Sequence, residues 1–107
     1  MKDIAIYGFG GFGREIACLI REINESKPTW NLIGYFDDVV NVGVKNSYGE
    51  VLGGLRELNT YPASLSIVFA IAAPLVVNKL YREIVNSNIE YSELTHIPAN
   101  GNLFFNM

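Results

Sequence analysis

The amino-acid sequence predicts an α/β fold, with a doubly wound parallel sheet in a single small domain. Short apolar runs that end at glycine or aspartate are typical of buried parallel strands, and amphipathic helical patterns separate these runs. Strands that alternate with helices pair in parallel through right-handed crossovers. A chain of 107 residues fills one domain core and leaves no room for a second.

The first half of the chain shows two strands and the helix between them. Residues 4–7 are apolar and end at a glycine, which predicts a buried strand. From 12 to 25 the apolar residues recur at helical spacing, opposite a charged face. Pro28 ends this helix, because it lacks an amide donor and pushes the preceding residue out of the α region. Residues 31–36 then predict the second strand.

The second half is more irregular. Residues 39–50 are polar and rich in turn-forming types, so we expect a surface loop there. Residues 51–54 and 55–58 predict a brief strand and one helical turn. The apolar run 65–71 predicts a central strand, and Pro74 then begins a helix. We expect residues 91–94 to form an edge strand, and the helix before it to bury Val77, Leu80, Tyr81, Ile84 and Val85.

Composition and charge argue against several classes of function. The net charge is −3, the sequence pI is about 5.0 and the basic residues are scattered, which argues against nucleic-acid binding. Cys18 is the only cysteine, so we expect a packed thiol, no disulfide and no metal site. No apolar run approaches the ~20 residues that span a bilayer, and the N-terminus lacks a signal-peptide pattern. We therefore expect a cytoplasmic protein without a membrane partner.

The loop that follows the first strand matches the glycine-rich pattern of nucleotide-binding folds. It reads Gly8-Phe9-Gly10-Gly11-Phe12-Gly13, directly between a predicted strand and a predicted helix. Gly8 permits the tight turn, Gly10 lets a ligand approach the backbone, and Gly13 lets the helix lie close to the sheet. The first helical amides then face a bound anion. The pattern predicts a Rossmann-like phosphate site, and the alternative is that the glycines serve only the turn.

Two aspartates end the second strand. Asp37 and Asp38 follow Gly13 by 24 and 25 positions, near the distance at which an acidic residue of this fold accepts ribose hydroxyls. We expect them to contact a nucleoside; the alternative is that they only start a turn. The chain holds little more than one mononucleotide-binding half, which favours a single nucleotide over a dinucleotide.

These segments resemble the N-terminal domain of sugar O- and N-acyltransferases of the NeuD/PglD type. The similarity covers nearly the whole chain and is clearest in three stretches: the glycine loop with Arg14-Glu15, Gly34-Tyr35-Phe36-Asp37-Asp38, and Val51-Leu52-Gly53-Gly54. The family's loop often reads Gly-His-Gly where this chain has Gly11-Phe12-Gly13. Its polar turn after the central strand is replaced here by Ala72-Ala73-Pro74-Leu75.

The resemblance implies a domain that holds a nucleotide-activated amino sugar, commonly a UDP-sugar. Gly8, Gly10, Gly11, Phe12 and Gly13 would line the ligand, with Asp37 and Asp38 on its nucleoside. In the family a left-handed β-helix follows, which forms a trimer, binds acetyl-CoA and supplies the catalytic histidine. We accordingly expect a binding domain at residues 1–98 and, at 99–107, a tail that leads toward an absent β-helix.

That expectation assigns no catalytic residue, no metal and no cofactor to this chain. The only histidine, His96, has no neighbouring nucleophile in sequence and is interpreted as a surface or tail residue. The chain alone should transfer no acyl group and should be a monomer or a weak dimer. Two other functions stay open: a regulatory module that senses NAD or another adenine nucleotide, and a domain whose pocket has decayed and which acts only in assembly.

Overall fold

The computed structural model describes residues 1–96 and 104–106, with side chains described through residue 94. The strands, in chain order, are β1 Lys2–Tyr7, β2 Trp30–Phe36, β3 Lys45–Asn46, β4 Gly49–Gly53, β5 Leu65–Phe69, β6 Ile89–Tyr91, β7 Leu94–His96 and β8 Phe104–Asn106. The helices are α1 Gly11–Ser26, α2 Leu55–Asn59 and α3 Pro74–Glu83. The predicted boundary at 98/99 lies outside the described residues.

Six of the described strands form one sheet in the order β3-β4-β2-β1-β5-β6. Every neighbouring pair is parallel except β3 with β4. The connection from β1 leads through α1 to β2, whereas the connection from β5 leads through α3 to β6 on the other side. The doubly wound, Rossmann-like α/β fold is therefore confirmed. Its topological switch point, where ligands of such sheets bind, lies between β1 and β5.

The helices cover opposite faces of the sheet. On one face α1 buries Ile16 and Ile20 against Ile4 and Ile6 of β1. The other face packs α2 and α3, through Leu58, Leu80 and their neighbours, against the alternate residues of the same strands. Alternation of side chains along each strand assigns successive residues to opposite cores. α1 follows β1 and α3 follows β5, so both helices begin at the carboxyl edge of the sheet.

The polar stretch 39–50 differs from the predicted loop, because it contains a short hairpin. Lys45 and Asn46 of β3 pair antiparallel with Glu50 and Gly49 of β4. The Asn46 side chain accepts hydrogen bonds from the amides of Tyr48 and Gly49, at 2.8 and 3.2 Å. The sequence pattern missed β3 because a polar strand of two residues shows no alternation of apolar side chains, and the surrounding turn-forming residues predict a loop.

The predicted buried stripe of α3 is only partly correct. Leu80 and Ile84 are buried and Val77 is half-buried, but Tyr81 is 48% exposed and Val85 is 77% exposed. Val85 lies beyond the end of the helix, and Tyr81 faces an open cleft at the edge of the sheet. Helical spacing alone does not reveal how much of a helix the neighbouring sheet covers.

The predicted edge strand at 91–94 is divided between two sheets. Tyr91 ends β6, which pairs with β5 at the edge of the main sheet. Leu94 begins β7, which pairs antiparallel with β8, and its side chain is buried against the core on the α1 face.

Within the described part of the chain, no helix combines the length and the apolar character needed to cross a membrane.

Candidate functional site

The glycine loop makes a sharp turn that only glycine fits at two positions. Gly8 has a φ of 119°, and a Cβ there would lie 2.6 Å from the carbonyl oxygen of Ala70. Gly13 lies where α1 crosses the turn, and a Cβ on it would collide with the carbonyl oxygen of Gly8. The predicted roles of these two glycines, tight turn and close helix packing, agree with this geometry.

Gly10 and Gly11 differ from those two glycines because a Cβ on either would meet no atom of the described residues within 4 Å. Gly10 is the N-cap of α1, and the first intrahelical bond of this turn runs from the Arg14 amide to the Gly10 carbonyl. Among the described residues, no side chain caps this terminus and no acidic residue lies in its first turn. The terminus therefore presents backbone donors and the positive end of the helix dipole beside open space.

Asp37 follows β2, and its carboxylate joins the end of that strand to the glycine loop. It accepts hydrogen bonds from the amides of Phe9, Val39 and Val40, at 3.0, 2.8 and 2.9 Å. Partial burial by itself raises the pKa of Asp37, but the three backbone donors outweigh it and hold the pKa below the ordinary value of 3.8. The ionised carboxylate thus orders the loop.

This arrangement predicts that acid weakens the fold through Asp37. A group whose pKa is lowered in the folded state stabilises that state above its unfolded pKa, and the contribution is lost as pH falls through the folded value. At pH 7, Asp37→Asn should lower the free energy of unfolding by about 2 kcal/mol. Denaturant unfolding between pH 7 and pH 2 should show this deficit shrinking below about pH 4.

The control for this experiment is Glu25→Gln, which removes one exposed carboxylate from α1. It should change the free energy of unfolding little at any pH. A deficit for Asp37→Asn that stays constant from pH 7 to pH 2 would contradict the assignment.

Asp38 has different partners and lies nearer to solvent. Its Oδ2 accepts a 2.6 Å hydrogen bond from the buried Tyr7 hydroxyl, and its Oδ1 accepts one of 2.9 Å from the amide of Leu55 at the start of α2. Burial, this hydrogen bond and the nearby negative charge raise the pKa of Tyr7 far above its ordinary value of 10.0. Tyr7 therefore stays protonated as a donor, and Asp38 retains free lone pairs on both oxygens.

Two hollows meet at the aspartate pair. The α2-side hollow has a volume of about 360 Å³ and lies between the aspartates and the start of α2. The α3-side hollow, of about 310 Å³, lies between the aspartates, Gly8, Ile71 and one side of α3. Asp37, Asp38 and Val39 line both. The site is therefore continuous from the end of β4, across β2 and β1, to the end of β5.

Two residues that line the site were not among the predicted site residues. Lys79 and Glu83 line the α3-side hollow, with Nζ and Oε2 4.0 Å apart, and both side chains are exposed. Only the topology, which brings α3 to the β1–β5 switch point, could have indicated them. Phe12, which the resemblance assigned to the ligand, is half-buried and packs against the core on the α1 face.

The remaining candidate residues lie apart from this site. Cys18 is half-buried on α1 as a free thiol. The backbone of His96 belongs to β7, and its side chain lies outside the described residues. Within the described ranges, no group of three or more His, Cys, Asp or Glu residues could hold a metal ion.

Comparison with known proteins identifies the family. The family model of the PglD N-terminal domain matches residues 3–84, which span β1 through α3 and include the glycine loop and both aspartates. Neither a search of curated proteins nor a search of solved structures finds a significant match. Since the family model covers most of the chain, this protein belongs to the PglD N-terminal domain family, which forms the N-terminal domain of sugar acyltransferases.

Proposed function

We propose that this domain binds the nucleotide-sugar substrate of a sugar acyltransferase, with the pyrophosphate at the N-terminus of α1. The observation that supports this most strongly is the uncapped helix terminus beside Gly10, with free space over its backbone. Backbone donors and the helix dipole together make such a terminus a good anion site. α3 also begins at the carboxyl edge of the sheet, after β5, and its N-cap residue Ala73 provides no side-chain cap. Two helix dipoles thus favour a doubly charged pyrophosphate at the switch point.

The nucleoside would lie over the end of β2, beside the aspartate pair. Asp38 suits a ribose hydroxyl better than Asp37, because it is more exposed and accepts two internal hydrogen bonds rather than three. Asp37 would act indirectly, by ordering the Phe9 amide in the loop. Asp38 would then contact the ligand and Asp37 would order the loop, in keeping with their different hydrogen-bond partners.

In a longer protein the acyl group would come from acetyl-CoA, bound outside this domain. Acyl transfer needs a positioned general base and donors for the developing oxyanion. We assign neither to the described residues, since Asp37 is a weak base that already accepts three backbone hydrogen bonds. The domain's contribution is therefore to hold and orient the acceptor substrate.

A thermal-shift panel of UDP-sugars, GDP-sugars, NAD and NADP tests this function. A ligand that binds only the folded state, at a hundredfold excess over Kd, adds about 2.7 kcal/mol. For a domain of this size we expect the Tm to rise by about 10 °C with a nucleotide-sugar and little with NAD. A shift with NAD alone would favour a nucleotide-sensing module instead. Flat curves with every compound would leave assembly as the remaining function.

A further inference from the structure

A third hollow, the aromatic cleft, lies beyond the proposed nucleotide site at the edge of the sheet. Its volume is about 630 Å³, within the range of small-molecule sites. The cleft opens between α3, the end of β5 and the segment that follows β6. Three rings define it, those of Phe69, Tyr81 and Tyr91, and polar groups of Asn78, Ser92 and Glu93 also line it.

The three rings form one packed group that is exposed on the cleft side. Phe69 is buried, and its ring lies 5.1 Å from that of Tyr81 and 5.8 Å from that of Tyr91, between centroids. The tyrosine rings are 4.7 Å apart and remain 48% and 41% exposed. Such contacts hold the rings in place without covering them. Two anchored aromatic surfaces therefore face a cleft that also offers an amide, a hydroxyl and a carboxylate.

The aromatic cleft continues the site along the carboxyl edge of the sheet. Ile71 lines both the aromatic cleft and the α3-side hollow. The three hollows accordingly follow the strand order, from β4 and β2 through β1 to β5 and β6. In a doubly wound sheet the two ends of an elongated nucleotide ligand lie on opposite sides of the switch point. With the nucleoside over β2, the far end of the ligand lies over β5 and β6.

We propose that the aromatic cleft is the subsite for the sugar ring of the nucleotide-sugar, an inference that rests on the function proposed above. The C–H face of a pyranose ring is apolar and can pack on Tyr81 and Tyr91. Its hydroxyl or amino groups can hydrogen-bond to Asn78, Ser92 and Glu93, which act as donors or acceptors. Aromatic surface with a few convergent polar groups is the pattern of a site that fixes a small ligand.

Isothermal titration with UDP and with UDP-N-acetylglucosamine separates this subsite from the nucleotide site. We expect the wild-type chain to bind the sugar nucleotide about tenfold more tightly than UDP, because only the former fills the aromatic cleft. Tyr81→Ala should remove this difference while leaving the affinity for UDP unchanged. Tyr81→Phe should keep the difference, because it retains the ring.

The matched control is Tyr48→Ala on the α1 face, where the Arg21 guanidinium carbon lies 5.0 Å from the centre of the Tyr48 ring. It should change neither affinity. Equal affinities of the wild-type chain for the two compounds, or a difference that Tyr81→Ala leaves intact, would overturn the sugar subsite alone. Failure of the wild-type chain to bind either compound, with no thermal shift from the GDP-sugars either, would overturn the proposed function and the subsite together.

Discussion

Gly13→Ala should destabilise the domain by about 3 kcal/mol, even though alanine is the better helix former. The added methyl group would collide with the carbonyl oxygen of Gly8 and would lie 3.3 Å from the Tyr35 ring. The oxygen belongs to the backbone turn that also orders Gly8 against Ala70, so it has little freedom to move. Denaturant unfolding monitored by circular dichroism measures the loss.

The matched control is Gly11→Ala, two positions earlier in the same helix. In the part of the chain that the structure describes, a Cβ on Gly11 meets nothing within 4 Å, and Gly11 is the first residue of α1. We expect no loss of stability there, and a gain of up to about 1 kcal/mol from helix propensity. If Gly13→Ala and Gly11→Ala lost the same free energy of unfolding, the close approach of Gly13 to the Gly8 carbonyl oxygen would not explain the loss.

Gly10→Val should abolish binding of a nucleotide-sugar and leave the fold intact. A valine side chain at Gly10 would extend into the free space above the N-terminus of α1, where the proposed phosphate approaches the backbone. Loss of the pyrophosphate contacts should reduce the affinity by at least about a hundredfold, equivalent to about 2.8 kcal/mol. Isothermal titration with UDP-N-acetylglucosamine measures this loss.

The unfolding free energy of the same variant serves as its control. Among the described residues no atom lies within 4 Å of the added Cβ, so only the poorer N-cap preference of valine remains, and the stability without ligand should fall by no more than about 1 kcal/mol. A stable Gly10→Val protein that binds with wild-type affinity would return the glycine loop to a purely structural role.

Most of the fold could be predicted from the sequence, because its signals are local. The apolar run before Gly8 and the run before Asp37 end where β1 and β2 end, at Tyr7 and Phe36. Pro28 and Pro74 fall at the predicted end of α1 and start of α3. Parallel strands end at one edge of a sheet, which brings the glycine loop and the aspartates together. The amide of Phe9 donates a 3.0 Å hydrogen bond to Asp37 at this edge.

The remaining features depend on contacts between distant positions. Asp38 bonds to Tyr7 and Leu55, which are 31 and 17 positions away, and no local pattern encodes these partners. Tyr81 fits the apolar stripe of α3 by spacing, but its ring packs beside Tyr91 of β6 and stays 48% exposed. The partners of Asp38 and the exposure of Tyr81 depend on side-chain orientation and on the neighbouring elements, which are defined only in the folded chain.

The most direct test of nucleotide-sugar binding at the glycine loop is an amide NMR titration. The ¹⁵N-labelled chain would be titrated with UDP-N-acetylglucosamine, and the shift of each assigned amide would be followed to saturation. We predict the largest changes at Gly10, Gly11 and Phe12, whose amides surround the proposed phosphate position. Saturable binding that leaves these three amides unmoved, or no binding of any UDP-sugar or GDP-sugar, would contradict the proposal.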